Sequence, residues 1–388
     1  MEPSLRITLP PWLQLDSLER IFAFIGAKDG KATAMLVGGC VRNAVLNAAE
    51  TDIDIATQYE PIEVVERLNA EHIKTIPTGI EHGTVTAVVD GVSFEITTLR
   101  EDIKTDGRHA EVSFTQSWKK DAARRDFTMN TLLADLNGNI YDPLGQGLED
   151  LQQGRVIFVG NPANRIEEDY LRILRFFRFQ AHFGKTELDK AALEACEQAA
   201  PQISNLSRER VTYEYLKILE AENAPNVLDT MRHHHILENI ISEAYDIHHL
   251  KALVKLQKNH SAINILSRYF VVAGNKARFY EDDLRLSHAQ KNFLVKLDSI
   301  YNQSFFDTEK EIKKAIFYHG RDIVMQAYLL SLAEEKVSDS GYASLIKGWQ
   351  VPSCPITGET LLAEGYHTGP ELGQELARRQ EEWLDENL

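Results

Sequence analysis

"LVGGCVRNAVLNAAETDIDIAT", residues 36–57, decides how the first third of the chain is read. An apolar run ends at Gly38-Gly39, a helical pattern follows over "VRNAVLNAA", and "TDIDIAT" reads as a strand with Asp52 and Asp54 on either side of Ile53. Alternate side chains of a strand share a face, so Asp52 and Asp54 project together while Ile53 and Ile55 turn to the core. Two carboxylates side by side repel one another unless a cation sits between them. Mg²⁺, with its preference for oxygen and its affinity for phosphate, is the natural one. A third acid stands in "SFEITT", where Glu95 has apolar neighbours on a strand able to pair beside the first. Three acids on adjacent strands hold two metals, which polarise an attacking hydroxyl and neutralise a leaving pyrophosphate. Gly38 and Gly39 then let the backbone turn sharply and offer amides to triphosphate oxygens, and Arg42, one turn on, adds charge. An aspartate pair alone is more often a solvated strand edge; the glycines and the third acid together favour the metal site.

The surroundings of this segment are β-rich. "PIEVVERLNAEH" opens a helix on Pro61, and "TVTAVVDGVSFEITTLR" gives two strands joined by Asp90-Gly91, a type I′ hairpin pair. "REDIKTDGRHAEVSF" reads as a mobile loop, and a further hairpin closes on Asn137-Gly138. From about residue 147 helical periods run to the end, among them "RIEEDYLRILRFFRFQAHF", and "SDSGYASLIKGWQVPSCPITG" reads as a late linker.

At 388 residues the chain exceeds a single ordinary core, and 43% hydrophobic content is enough to fold two or more domains. No apolar run reaches the roughly 18 residues of a membrane span. "MEPSLRITLPPWLQL" lacks the pattern of a signal peptide, so the expected address is cytoplasmic. Cys40, Cys196 and Cys354, odd in number and far apart, suit reduced thiols rather than disulfides or a metal cluster. The net charge of −16 argues against a polyanion partner, but residues 100–185 are balanced and bunch their cations in "KKDAARRDF" and "RILRFFRF". Lys119, Lys120 and Arg124 read as solvated surface charge, the histidine-rich segments "MRHHHILENI" and "DIHHLKAL" as caps or surface, and Asp142 and Asp150 as capping residues.

Several motifs now converge on a family. "LVGGCVRNAVL" with "TDIDIAT" resembles the signature of the DNA polymerase beta type nucleotidyltransferases. "RRDFTMNTLL" (124–133), "YDPLGQGLEDL" (141–151), "EEDYLRILRFFRF" (167–179) and "LSRERVTYEYLKIL" (206–219) are similar, in order and spacing, to the later motifs of its class II branch. That branch comprises the CCA-adding tRNA nucleotidyltransferases and the bacterial poly(A) polymerases. "PITGETLLAEGYHTGPELGQELARRQEEWL" resembles the tail of the CCA-adding members.

The resemblance implies an α+β chain: a mixed-sheet catalytic head at 1–150, then an all-helical neck at 151–220, body at 221–335 and tail at 336–388. The neck would recognise the nucleotide base, the body RNA, and the tail tRNA. It implies that Asp52, Asp54 and Glu95 hold a two-metal Mg²⁺ site. Gly38, Gly39, Arg42, Arg125, Asp126, Asp169, Arg172 and Arg175 would bind the nucleotide. Asp126 would bond the ribose 2′-hydroxyl. Asp169 and Arg172, on one helix face, would offer an acceptor and a forked donor to the Watson–Crick edge of C or A, and Arg175 would hold triphosphate or brace Asp169. Where the family writes Gly-Gly-x-Val-Arg-Asp this chain has Asn43, so an ion pair made by that Asp is missing. The implied activity is addition of C, C and A to tRNA from CTP and ATP, with no membrane and no obligatory protein partner. The alternatives are a poly(A) polymerase, a CC-adding or A-adding specialist, a non-catalytic tRNA-binding protein, or a small-molecule nucleotidyltransferase.

Overall fold

A computed structural model describes residues 1–106, 109–241, 246–274, 283–303 and 306–388, with backbone alone at 102–106 and 109–112. One eight-stranded sheet carries the first part of the chain. Its strands are β1 (Leu5–Arg6), β2 (Ala34–Val37), β3 (Asp54–Thr57), β4 (Lys74–Gly79), β5 (Thr84–Val89), β6 (Val92–Thr98), β7 (Leu133–Ala134) and β8 (Asn139–Tyr141). They lie in the order β1-β8-β7-β2-β3-β6-β5-β4. Every neighbouring pair is antiparallel except β3 and β6, which run parallel with Asp54 opposite Glu95. The sheet is therefore mixed.

Local chemistry explains the strands. All four residues of β2 are buried, as befits a central strand covered on both faces, whereas β5 alternates buried and half-buried positions. Asp90 and Gly91 both have positive φ (52° and 82°), the I′ geometry that matches strand twist. The β7–β8 turn is tied by Asp135, whose carboxylate accepts from the amides of Asn137 and Asn139. The segment read as a mobile loop is instead an antiparallel pair, Arg100–Asp106 with His109–Phe114. Its many charged residues hide the strands from a reading based on hydrophobic period, and the backbone pairing shows them.

The first helices in the chain are α1 (Asp16–Ile25), α2 (Gly39–Val45), α3 (Pro61–Ala70), α4 (Trp118–Ala123), α5 (Gly147–Gln153), α6 (Pro162–Glu168), α7 (Leu171–Phe183), α8 (Lys190–Ala199) and α9 (Arg208–Glu220, which from Tyr215 on belongs to the second of the chain's two compact units). The stretch read as one helix over "RIEEDYLRILRFFRFQAHF" breaks between α6 and α7, because Asp169 leaves helical geometry (φ −158°, ψ 106°). The chain divides into two compact units. The first is Met1–Glu214 with His233–Asn239, and the second is Tyr215–Arg232 with Ile240–Leu388.

In the second unit follow α10 (Ala224–His233, whose last residue belongs to the first unit), α11 (Ile247–Asn259), α12 (Ile265–Val272), α13 (His288–Tyr301), α14 (Glu309–His319), α15 (Arg321–Ala333), α16 (Tyr342–Gly348), α17 (Gly358–Ala363) and α18 (Pro370–Asn387). The acidic α18 is held against α14, where Lys314 pairs with Glu381 and, at 2.8 Å, Asp385. No described helix is long and apolar enough to cross a membrane.

The second unit is organised around a fully buried cation. Arg268 donates to the carbonyls of Leu219 (2.6 Å), Glu220 (3.0 Å) and Ala221 (3.1 Å) at the end of α9, and to Gln257 Oε1 (2.7 Å). Oriented carbonyls at a helix C-terminus suit a positive charge. Replacing it by Met leaves those acceptors buried and unmet, so Arg268→Met is expected to destabilise this unit by about 3 kcal/mol or more, read as a lower urea midpoint.

Candidate active site

The catalytic candidates gather on one face where β2, β3 and β6 lie side by side. Asp54 begins β3, and its register partner across the parallel pair is Glu95. Their neighbours Ile55 and Ile96 are paired and buried on the opposite face. Asp52 precedes the strand rather than lying on it, and is exposed, as is Glu95. "TDIDIAT" thus contributes only its last four residues to the strand.

Electrostatics separate the three acids. Burial, then the charge of Glu95, push the Asp54 carboxyl up to about 6; Asp52 adds to this, while Arg125 opposes it. Among the described residues no three metal-ligating side chains already converge on one point. Two carboxylates face each other, and the third stands on the adjoining loop.

Gly38 closes the site on one side. Its backbone (φ 75°, ψ −130°) belongs to a region that side-chain-bearing residues rarely enter, and it caps α2. A Cβ built there would lie 3.7 Å from Asp54 Oδ2 and 3.8 Å from an Arg125 guanidinium nitrogen, so both side chains border this turn. Gly39, half-buried, lies against Thr51 and Arg42 in the same way.

Arg125 is aimed by a residue that the sequence reading passed over. Asp121, on α4, accepts from Arg125 (2.9 Å) and Arg124 (2.6 Å). Burial would raise its pKa; the two guanidiniums outweigh burial and hold it below the usual carboxylate range. Arg124 is accordingly no solvated surface charge, since it also donates to the Arg100 carbonyl. The spacing of Asp121 from both arginines, three and four residues on a helix, was the available signal.

The geometry gives several of the expected nucleotide-binding residues partners within the protein. Arg42 is buried, at 9% exposed. It donates to Asn130 Oδ1 and Asn43 Oδ1 (both 2.9 Å) and stacks on Phe183 at 4.3 Å. Burial, then the charge of Arg178, lower its pKa to about 10. Asp126 is 8% exposed and fully engaged. One oxygen accepts from Phe127 N (2.8 Å) and Asn130 Nδ2 (3.0 Å), the other from Arg175 Nε (2.8 Å). Burial opposes its ionisation, but Arg175 and the Asn130 bond prevail and hold its pKa near 2.

Arg175 is bound to Asp126, with Glu214 at 3.7 Å, and also feels the charge of Asp169. Asp169 and Arg172 do not share one continuous helix face, since the chain breaks between α6 and α7. Asp169 is held instead by Arg210 (2.7 Å) and the Leu171 amide (3.1 Å). Arg172 is held by Glu168 and by the Arg165 carbonyl (2.8 Å).

Asp142 is a turn cap, as its sequence position suggests. Asp142 accepts from the Gly145 and Leu148 amides, and His249 pairs with Asp246 at the start of α11. Asp150 does more than cap. It is buried, and it bonds Thr128 (2.7 Å) and Arg155 (2.8 Å). None of the three cysteines is paired.

Residues 34–157 match the family described as the poly A polymerase head domain, and residues 187–247 the family described as a probable RNA and SrmB-binding site of polymerase A. The chain is 33% identical over 365 residues to the mitochondrial CCA tRNA nucleotidyltransferase 1 of Danio rerio, covering 90% of this chain and 82% of that one. It is 31% identical to the CCA-adding enzyme of Streptococcus gordonii, covering 98% and 95%. Its fold is similar to the crystal structure of the Bacillus stearothermophilus CCA-adding enzyme in complex with CTP, with a TM-score of 0.70, 22% identity, and coverage of 91% and 89%. The sheet whose parallel pair sets Asp54 beside Glu95, and the near full-length likeness to relatives above 30% identity, lead to one assignment: the chain belongs to the CCA tRNA nucleotidyltransferase family.

Proposed function

We propose that this protein completes the 3′ end of tRNA by adding C, C and A from CTP and ATP without a nucleic-acid template. The observation that carries the reading is the register of Asp54 with Glu95 beside the Gly38 turn, in a chain alignable over nine-tenths of its length with enzymes of that name. The acceptor's 3′-hydroxyl attacks the α-phosphate of the nucleotide, and pyrophosphate leaves.

Asp52, Asp54 and Glu95 would hold a pair of Mg²⁺ ions, which supply neutralisation of the phosphoryl charge and a polarised hydroxyl. The fit rests on the chemistry of the donors. All are carboxylates, and the raised pKa of Asp54 reflects burial together with repulsion that a cation would relieve. Asp52 and Glu95 are exposed and free to turn toward it. Arg125, fixed by Asp121, points a guanidinium nitrogen at the Gly38 turn, where the nucleotide's phosphates would bind.

Asp169 and Arg172 are proposed to read the base, as acceptor and forked donor to the Watson–Crick edge of C or A; G and U present another order of donors and acceptors. Their present partners, Arg210 and Glu168, fix the direction of each. Unpaired cysteines suit a reducing compartment, which we take to be the cytoplasm.

Transfer RNA ending at its discriminator base, offered CTP and ATP with Mg²⁺, is expected to gain three nucleotides. Long A tails on any RNA would instead indicate a poly(A) polymerase, and no incorporation a binding protein. Asp54→Asn should abolish incorporation. Without divalent cations at pH 8 it should also melt a few degrees higher than wild type, because ionisation of a carboxyl whose folded pKa is raised opposes folding above that pKa, by on the order of 1 kcal/mol here. Added Mg²⁺ should raise the melting temperature of wild type but not of the variant. Asp169→Ala should blur nucleotide choice, seen as incorporation of GTP or UTP, with tRNA binding retained.

A further inference from the structure

Resting on that reading, we propose that Asn130 is a positioning residue for nucleotide selection: its buried amide bridges Arg42, on the helix that starts at the glycine turn, to Asp126, which grips the base-selecting helix α7 through Arg175.

The links are continuous. Arg42 donates to Asn130 Oδ1 at 2.9 Å, Asn130 Nδ2 donates to Asp126 Oδ1 at 3.0 Å, and Arg175 Nε donates to Asp126 Oδ2 at 2.8 Å. Arg42 reaches α7 a second time by stacking on Phe183 (4.3 Å) and Phe179 (5.2 Å). Arg175 stands one turn beyond Arg172 on that helix, so the setting of Asp126 fixes how the first turn of α7 presents Arg172.

The chemistry demands an amide. One end of the residue at 130 faces a guanidinium and must accept; the other faces a carboxylate held ionised and must donate. Asp in its place would repel Asp126, and Leu would leave both groups unmet. Asn130 is 7% exposed, so water has little room to substitute.

A second feature makes the bridge decisive in this chain. Arg42 has only amide oxygens as acceptors, because Asn43 stands at the position where the family pattern has Asp. Three arginines, Arg42, Arg175 and Arg178, surround Phe179 within 4.9–5.6 Å, with Asp126 and Glu214 as their carboxylates. With one cation in excess, the position of Arg42 depends on hydrogen-bond direction rather than on a charge of its own.

The test measures kcat and KM for CTP, ATP, GTP and UTP, KM for tRNA, and the melting temperature. It uses wild type, Asn130→Leu, Asn130→Asp and the double variant Asn43→Asp/Asn130→Leu. Asn130→Leu is expected to lower discrimination of CTP and ATP against GTP and UTP by about tenfold or more, with the KM for tRNA unchanged. Asn43→Asp should return melting temperature to the double variant by giving Arg42 a carboxylate, while discrimination stays low. Discrimination within twofold of wild type in Asn130→Leu, or its restoration together with stability in the double variant, overturns the proposal. If Asn130→Leu does not fold, Asn130→Asp, which keeps size and the bond to Arg42, decides by the same criterion. A wild-type protein that incorporates nothing would count against the enzymatic reading itself, whereas a selective wild type matched by an equally selective Asn130→Asp counts against this inference alone.

Discussion

The ion pair between Asp126 and Arg175 is the constraint on which the first unit's site depends. A carboxylate this deeply buried is costly to ionise, and one partner rarely suffices. Here it has three kinds of donor at once: a guanidinium, the Asn130 amide and the Phe127 backbone. Asp126 follows Arg125, the side chain that borders the glycine turn, and Arg175 lies on the helix that carries Arg172, one of the two proposed base readers. One pair thus joins the two halves of the proposed chemistry and holds them at a fixed spacing.

The acids proposed to be catalytic are built on the opposite principle. Burial and the neighbouring Glu95 charge raise the Asp54 pKa by more than Arg125 lowers it. Structural acids in the same unit, Asp121 and Asp126, are matched by arginines and held ionised. The contrast fits the roles proposed for them: carboxylates matched by arginines would brace the site, and Asp54 would bind the cation.

Charge in the interior follows the same division. Glu214, buried between Arg175 and Arg178, has its pKa raised by burial despite the two cations, and Arg42 lacks any carboxylate directly bonded to it. The cluster is positively biased and sits against the aromatic rings of α7. A protein with a net charge of −16 therefore keeps a local excess of cations in its interior, which overall composition conceals.

Much of this was legible in the residues alone. Alternation put Asp54 on the face opposite Ile55, Asp90-Gly91 fixed a hairpin, and the ordered motifs gave the family and the α+β division, because each of these depends on neighbours within a few positions. The charged strands at 100–114 and the break at Asp169 were missed, since backbone pairing and a local exit from helical φ and ψ leave little trace in hydrophobic period. What only the tertiary structure decided is which groups meet. Arg42 finds Asn130 across 88 residues, Arg175 finds Asp126 across 49, and Arg210 finds Asp169 across 41. Sequence dictates the chemical type of each side chain and its face on an element. The partner that satisfies a buried charge is set by how the elements pack, and here packing gives Arg42, Asp126 and Arg175, three residues expected to touch the nucleotide, partners within the protein.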